Sequence, residues 1–308
     1  MMNLGYACIN LSMGKKIGTN RTMVKRTYQA KGLDYVSELA LKNASDIIKI
    51  LEWNRLNGIN FFRLSSAIVP WGDDFNDFTL LKDYKEIKKE LKKAGDYAKF
   101  WNMRITCHPG PYVVLTSPHE KVVANALNNL EMHGKIFDMM GLSKTPYNKI
   151  NIHCNGVYGD KKAAMDRFCK NFKRLSKSVR SRLTVENDDK ATMYSVLDLM
   201  YIHQKIGIPI VFDYHHHKFC TGGLTEEEAL QLAASTWPEG ITPIVHYSEP
   251  KEGNKPQAHA DYIKMIPETY GIDVDIMVEA KAKELAILPF LNKQTICEYS
   301  GLKAVAAY

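Results

Sequence analysis

The histidines and carboxylates of this 308-residue chain fall where they could hold metal ions. Seven of its ten histidines (His108, His153, His215, His216, His217, His246 and His259) lie at, or shortly after, the C-terminal ends of short apolar, β-branched runs. Glu186, Asp213 and Glu279 end further such runs or share one with a histidine. Imidazole and carboxylate are the donors that bind divalent transition metals. A lone histidine at a strand end is more often a hydrogen-bonded core residue; the weight here comes from consecutive runs that each supply a donor. A single ion needs three protein ligands and an open position, whereas some eight candidates are present, which favours two or three ions. Packed cations repel unless an anion lies between them, and Glu186, from the middle of the series, is the natural bridge. Ions so paired activate water, clamp a phosphate and neutralise a departing oxygen. The chemistry to expect is phosphodiester hydrolysis.

Donors on different strands converge on one point only if the strands close into a barrel. Eight candidate strands recur, at 4–9, 59–64, 103–108, 149–154, 183–187, 208–214, 242–247 and 273–280. Their centres are almost continuously apolar, as in strands buried on both faces. Between them, segments such as 33–55 and 83–102 carry apolar residues at three- and four-residue spacing, the mark of amphipathic helices. Strands alternating with helices make a parallel sheet, and eight repeats favour a (β/α)8 TIM barrel with its active site at the C-terminal face of the strands. No G-x-G-x-x-G turn follows the first run, which argues against a dinucleotide fold and a nucleotide cofactor. No linker-like block divides the chain, so residues 1–308 are expected to form a single catalytic domain, ending in a C-terminal helix and tail over 281–308.

The net charge is +7, and its placement says more than its size. Lys15, Lys16, Arg21, Lys25, Arg26 and Lys31 lie within 11–33, a segment with no acidic residue. Read as the loop after the first strand, it places cations on the active-site face, where they suit a polyanionic partner. No apolar run is long enough to span a bilayer, and the N-terminus lacks the charge order of a secretory signal. A cytoplasmic protein is expected. Its six cysteines form no C-x-x-C pair, and Cys107 and Cys154, though beside candidate ligands, read as small buried strand residues. Among the adjacent histidines after Asp213, alternation along a strand favours His215 and a turn favours His216; the residues alone leave both open.

In order and spacing these residues resemble the ultraviolet-damage endonucleases, relatives of endonuclease IV among the xylose-isomerase-like barrels. The matching elements are Gly5-Tyr6 with Asn10, Arg63-Leu64-Ser65-Ser66 with Pro70, and His108-Pro109-Gly110 with Tyr112. They continue through Asn151-Ile152-His153, Val185-Glu186-Asn187-Asp188, Asp213 with His216, His246-Tyr247-Ser248, His259-Ala260-Asp261, and Glu279-Ala280-Lys281 with Glu284. The resemblance implies a monomer that binds damaged double-stranded DNA. It would cut immediately 5′ to a photolesion and leave a 3′-hydroxyl and a 5′-phosphate. Manganese would be the favoured ion, with zinc or magnesium as alternatives. It also implies a division of ligands: His108, His153 and Glu186 on one ion; Glu186, Asp213, His246 and Glu279 on a second; His216 and His259 on a third. Glu186, His246, Glu279 and His259 would take the catalytic roles.

Tyr6, Asn10, Pro111 and Tyr112, with Lys15, Lys16, Arg21, Lys25 and Arg26, are the expected DNA-contacting or lesion-probing residues. Three positions depart from the family pattern. Pro111 replaces a common Gln, Ile244 stands where Lys is frequent, and Trp71 lies near the place of a missing histidine. Two other activities use similar parts: an abasic-site endonuclease, and a metal-dependent sugar isomerase or epimerase on the same barrel.

Overall fold

The computed structural model describes residues 2–253, 255 and 257–291. All eight apolar runs become strands, each shorter than its run: β1 Leu4–Ala7, β2 Phe61–Leu64, β3 Arg104–Cys107, β4 Ile150–His153, β5 Leu183–Glu186, β6 Ile210–Asp213, β7 Ile244–Tyr247 and β8 Asp275–Val278. Each pairs in parallel with the next, and β8 pairs back onto β1, closing the barrel. Long helices return the chain between the first seven strands, at Lys25–Leu56, Tyr84–Phe100, Glu120–Met140, Lys161–Phe172, Val196–Ile206 and Glu226–Ala234. The second of these buries Ile87, Leu91, Ala94 and Ala98 along one stripe, as its sequence spacing requires. Gly95 on the same face lets that helix meet the end of the next one. A Cβ there would collide with the Met140 backbone carbonyl.

Strand alternation sorts side chains between the helix layer and the barrel interior. Ala7, Phe61, Val211, Ile244 and Met277, with Trp237, form a small apolar cluster inside. At the N-terminal end of the strands the Arg104 guanidinium, 1% exposed, pairs with Asp275 at 2.8 Å and donates to the carbonyls of Tyr147 and Thr242. The polar donors therefore crowd at the opposite mouth.

Two expectations about segments change. The basic segment 11–33 is not a loop throughout: the chain becomes helical at Lys25, so Lys25, Arg26 and Lys31 ride on a helix that bends at Gly32 (φ 60°, ψ −157°). A run of good helix formers outweighed the cation pattern there. The predicted helix from 281 shrinks to Glu284–Ile287, followed by a 3-10 turn over Leu288–Phe290 that contains Pro289; the remainder of the predicted tail lies outside the described residues. Among the described residues no helix separates β7 from β8, and the long connection carries His259. No helix among them is long and apolar enough to cross a membrane.

Candidate metal centre

Seven side chains gather at the strand mouth. Three groups have ligand atoms within 4.8 Å of one another: His108, Glu186 and His246; His153, Glu186 and His216; and Asp213, His246 and Glu279. Glu186 closes β5 and belongs to two groups, one oxygen 3.1 Å from His108 Nε2 and the other 3.0 Å from His246 Nδ1. His153 Nε2 and His216 Nδ1 lie 3.7 and 3.6 Å from the same carboxylate. His246 Nδ1 is also 3.3 Å from Glu279.

Glu186 Oε2 faces both His108 and His153, its Oε1 faces His246 and His216, and His246 also groups with Asp213 and Glu279; His259 is in none of the three groups. His259 Nδ1 is 3.9 Å from Glu279, its ring beside that of His215. A turn sets His215 and His216 in different surroundings. Asp213 Oδ1 accepts the His216 backbone N–H at 2.8 Å, which starts the short helix Tyr214–His217 immediately after β6. His216 thereby faces Glu186, while His215 is buried between the rings of Phe219 and His259.

A ring of partners behind the donors fixes their orientation, as ligand side chains generally require. The Pro109 carbonyl accepts from His108 Nδ1 at 3.0 Å, leaving Nε2 to the site. Asn151 donates to Glu186 and Arg63 to Glu279. The Lys149 amine, fully buried, lies 3.0 Å from His246 Nε2. Ile244 adds only apolar bulk to the interior, and a buried amine reaches His246 from the β4 side. Nothing in the sequence marked Lys149, because a lysine preceding a strand ordinarily reads as solvated. Its parity with Asn151 and His153 was the available signal.

The electrostatics of the site bear on what it can hold. Three carboxylates (Glu186 and Asp213 buried, Glu279 partly so) crowd together, and Asp213 Oδ2 has no hydrogen-bond partner. Burial, with Glu186 and Glu279 close by, pushes Asp213 up to about 7. Burial pulls His246 down to about 4, so its ring is neutral and free to ligate. Burial also opposes charge on His153, but Glu186 and Asp188 outweigh it and lift His153 to about 9. Crowded carboxylates, a neutral His246 and an orphaned carboxylate oxygen suit divalent cations, which would also displace the proton His153 holds. The residues fit metal.

The expected DNA-contacting residues separate into two sets. Lys15, Lys16, Lys25, Arg26, Pro111 and Tyr112 are exposed. Tyr6 and Asn10 are not, and their lesion-probing assignment is corrected. Tyr6 is fully buried, its hydroxyl donating to Asn54 and accepting from Asn10, whose own Oδ1 caps the turn at Met13. Gly5 and Ala7 flank Tyr6, so alternation turns its ring into the helix layer. Arg21 is likewise committed elsewhere: with Gly18 it binds Asp46, at 2.6 and 3.1 Å, and pins the first loop to the helix behind it.

A family model described as UV-endonuclease UvdE matches residues 2–308. The chain is 38% identical to a UV-damage endonuclease of Schizosaccharomyces pombe over 94% of its own length, and spans half the length of that relative. It is 33% identical to a UV DNA damage endonuclease of Clostridium perfringens, covering 94% of this chain and 70% of that one. The crystal structure of SacUVDE superposes with a TM-score of 0.83 at 31% identity, over 98% of this chain and 99% of the other. A D-psicose 3-epimerase of Clostridium cellulolyticum H10, at 11% identity and a TM-score of 0.53 over 91% of this chain and 85% of its own, shares the barrel alone. The chain belongs to the UV-endonuclease UvdE family.

Proposed function

We propose that this protein is a metal-dependent DNA repair endonuclease. It hydrolyses the phosphodiester bond immediately 5′ to ultraviolet photolesions, both cyclobutane dimers and 6-4 photoproducts, leaving a 3′-hydroxyl and a 5′-phosphate. The observation that carries the reading is the convergence of four histidines and three carboxylates on overlapping three-residue groups, in a member of this family. Divalent ions held there, manganese in first place, supply activation of water and neutralisation of charge on the reacting phosphate. The chain's own residues do the rest. Glu186 bridges two groups, His246 links a second pair, and Arg63, Asn151 and Lys149 hold these donors in place. His259, its Nδ1 3.9 Å from Glu279 at the edge of the cage, would hold a further ion with His216. Lys15 and Lys16 project from a loop that Asp46 anchors, ready to meet phosphates.

The test is incision of a duplex carrying one defined photolesion, with added manganese, with magnesium, and with chelator. Nicking 5′ to the lesion that is abolished by chelation supports the reading; preferential cutting of an abasic duplex would replace it with the abasic-site activity. The epimerase alternative has the shared barrel to support it and nothing at the site that selects a sugar.

Two further outcomes follow from the charges. His153 and Asp213 carry protons near neutrality that a metal must displace. A group with its pKa raised to about 9 stays protonated at pH 7, so manganese affinity rises with pH. The gain is up to about ten-fold per unit until His153 has titrated. Manganese titrations at pH 6.5, 7.5 and 8.5 measure it, and a flat profile would contradict it. Replacing both Lys15 and Lys16 with Ala should weaken DNA binding alike for all sequences and lower the slope of log K against log salt by about two. Binding measured across a salt series gives that slope.

A further inference from the structure

Tyr158 stands on the loop after β4, beyond His153, with 45% of its surface exposed. The backbone around it is strained. Tyr158 (φ 51°) lies in the left-handed region, which bulky residues adopt only where surrounding contacts impose it, between Asn155 (φ 62°) and Gly159 (φ 78°), which take that region readily. Those contacts are present. Asn155 donates to the carbonyls of Val113 and His153, and the Gly156 carbonyl accepts from the Tyr194 hydroxyl. The ring lies against Gly156, where a Cβ would come within 2.8 Å of it. The Arg167 guanidinium is 5.7 Å from the ring centroid, and the His119 ring meets it edge-on.

All this order fixes an aromatic that stays outside the apolar core. A tyrosine held in a strained conformation yet left nearly half exposed points to a use at the surface. The neighbouring β3 loop repeats the arrangement with Tyr112, 63% exposed and folded over Gly110. Each tyrosine is the first aromatic side chain after a cage histidine, on adjacent staves of the barrel.

We infer that Tyr158 is a second stacking surface, beside Tyr112, for an unpaired nucleobase of the DNA strand held at the cage. The inference rests on the DNA reading above. An immobilised ring presents a face to any base without demanding a particular sequence, and its ordering cost is met before the ligand arrives. Tyr158 binds; it takes no part in the bond cleavage.

The test uses the manganese-loaded protein and a duplex with one cyclobutane dimer flanked by 2-aminopurine, read by equilibrium binding, reporter fluorescence and single-turnover incision. Tyr158→Ala and Tyr158→Leu should each weaken binding about ten-fold and lose part of the fluorescence quench at an unchanged thermal midpoint. Tyr158→Phe should retain both affinity and quench. Wild-type affinity and quench in the Ala and Leu variants would overturn the inference, as would a Phe variant as weak as Ala. A wild-type protein that neither binds nor cuts this duplex would instead fell the functional reading, and this inference with it.

Discussion

Glu186→Gln is expected to lose incision by roughly a thousand-fold or more while the barrel stays folded. The side chain is 1% exposed and stands between His108, His153, His216 and His246. Burial works against its charge, yet the protonated His153 and hydrogen bonds with His108 and His246 hold the carboxylate well below its usual range. It is anionic at any working pH and can face two cations at once. The amide keeps the shape, loses the charge, and offers its neighbours a donor where they need an acceptor. Metal content should fall with activity, which separates a lost bridge from a misplaced substrate. Single-turnover rates and metal quantification on one preparation test this; a variant keeping more than a tenth of the rate with full metal would contradict the bridging role.

Asp275→Ala should have the largest effect on stability. It strips the Arg104 guanidinium of its carboxylate partner in a site where Arg104 is 1% exposed, walled by Phe61, Tyr147 and Trp237. Leaving a charge buried and unpaired costs about 3–5 kcal/mol. For a chain of this size that lowers the thermal midpoint by about 10 °C. Removing both partners, as in Arg104→Met with Asp275→Ala, should recover much of the loss, because the penalty lies in the stranded charge more than in the missing bond. Thermal unfolding of the single and double variants decides; equal losses would mean that packing, not charge, holds this end of the barrel.

The sequence disclosed the barrel because each strand is buried on both faces, so its core is an unbroken apolar run that no helix between them imitates. The cage was legible for a related reason. Strand ends bring donors to one mouth, and seven of the eight metal-ligand candidates meet there. Which Glu186 oxygen each ring faces depends on how the ring leans, and residue types do not encode that. His216 prevailed through a backbone cap on Asp213, a detail of one turn. Tyr6 and Asn10 were misread although alternation along β1 already turned Tyr6 away from the interior. Lys149 escaped notice because burial of an amine leaves no mark on the residue types beside it. Lys25 and Arg26 were placed in a loop because charge pattern and helix propensity disagreed there, and propensity prevailed.

The central claim is that the strand mouth is a multinuclear metal cage. Anomalous diffraction from crystals equilibrated with manganese tests it most directly. The account predicts at least two peaks, both touching Glu186, with His246 or His153 as further ligands. A saturated crystal with no peak among these side chains, grown from protein that still cuts irradiated DNA, would contradict it.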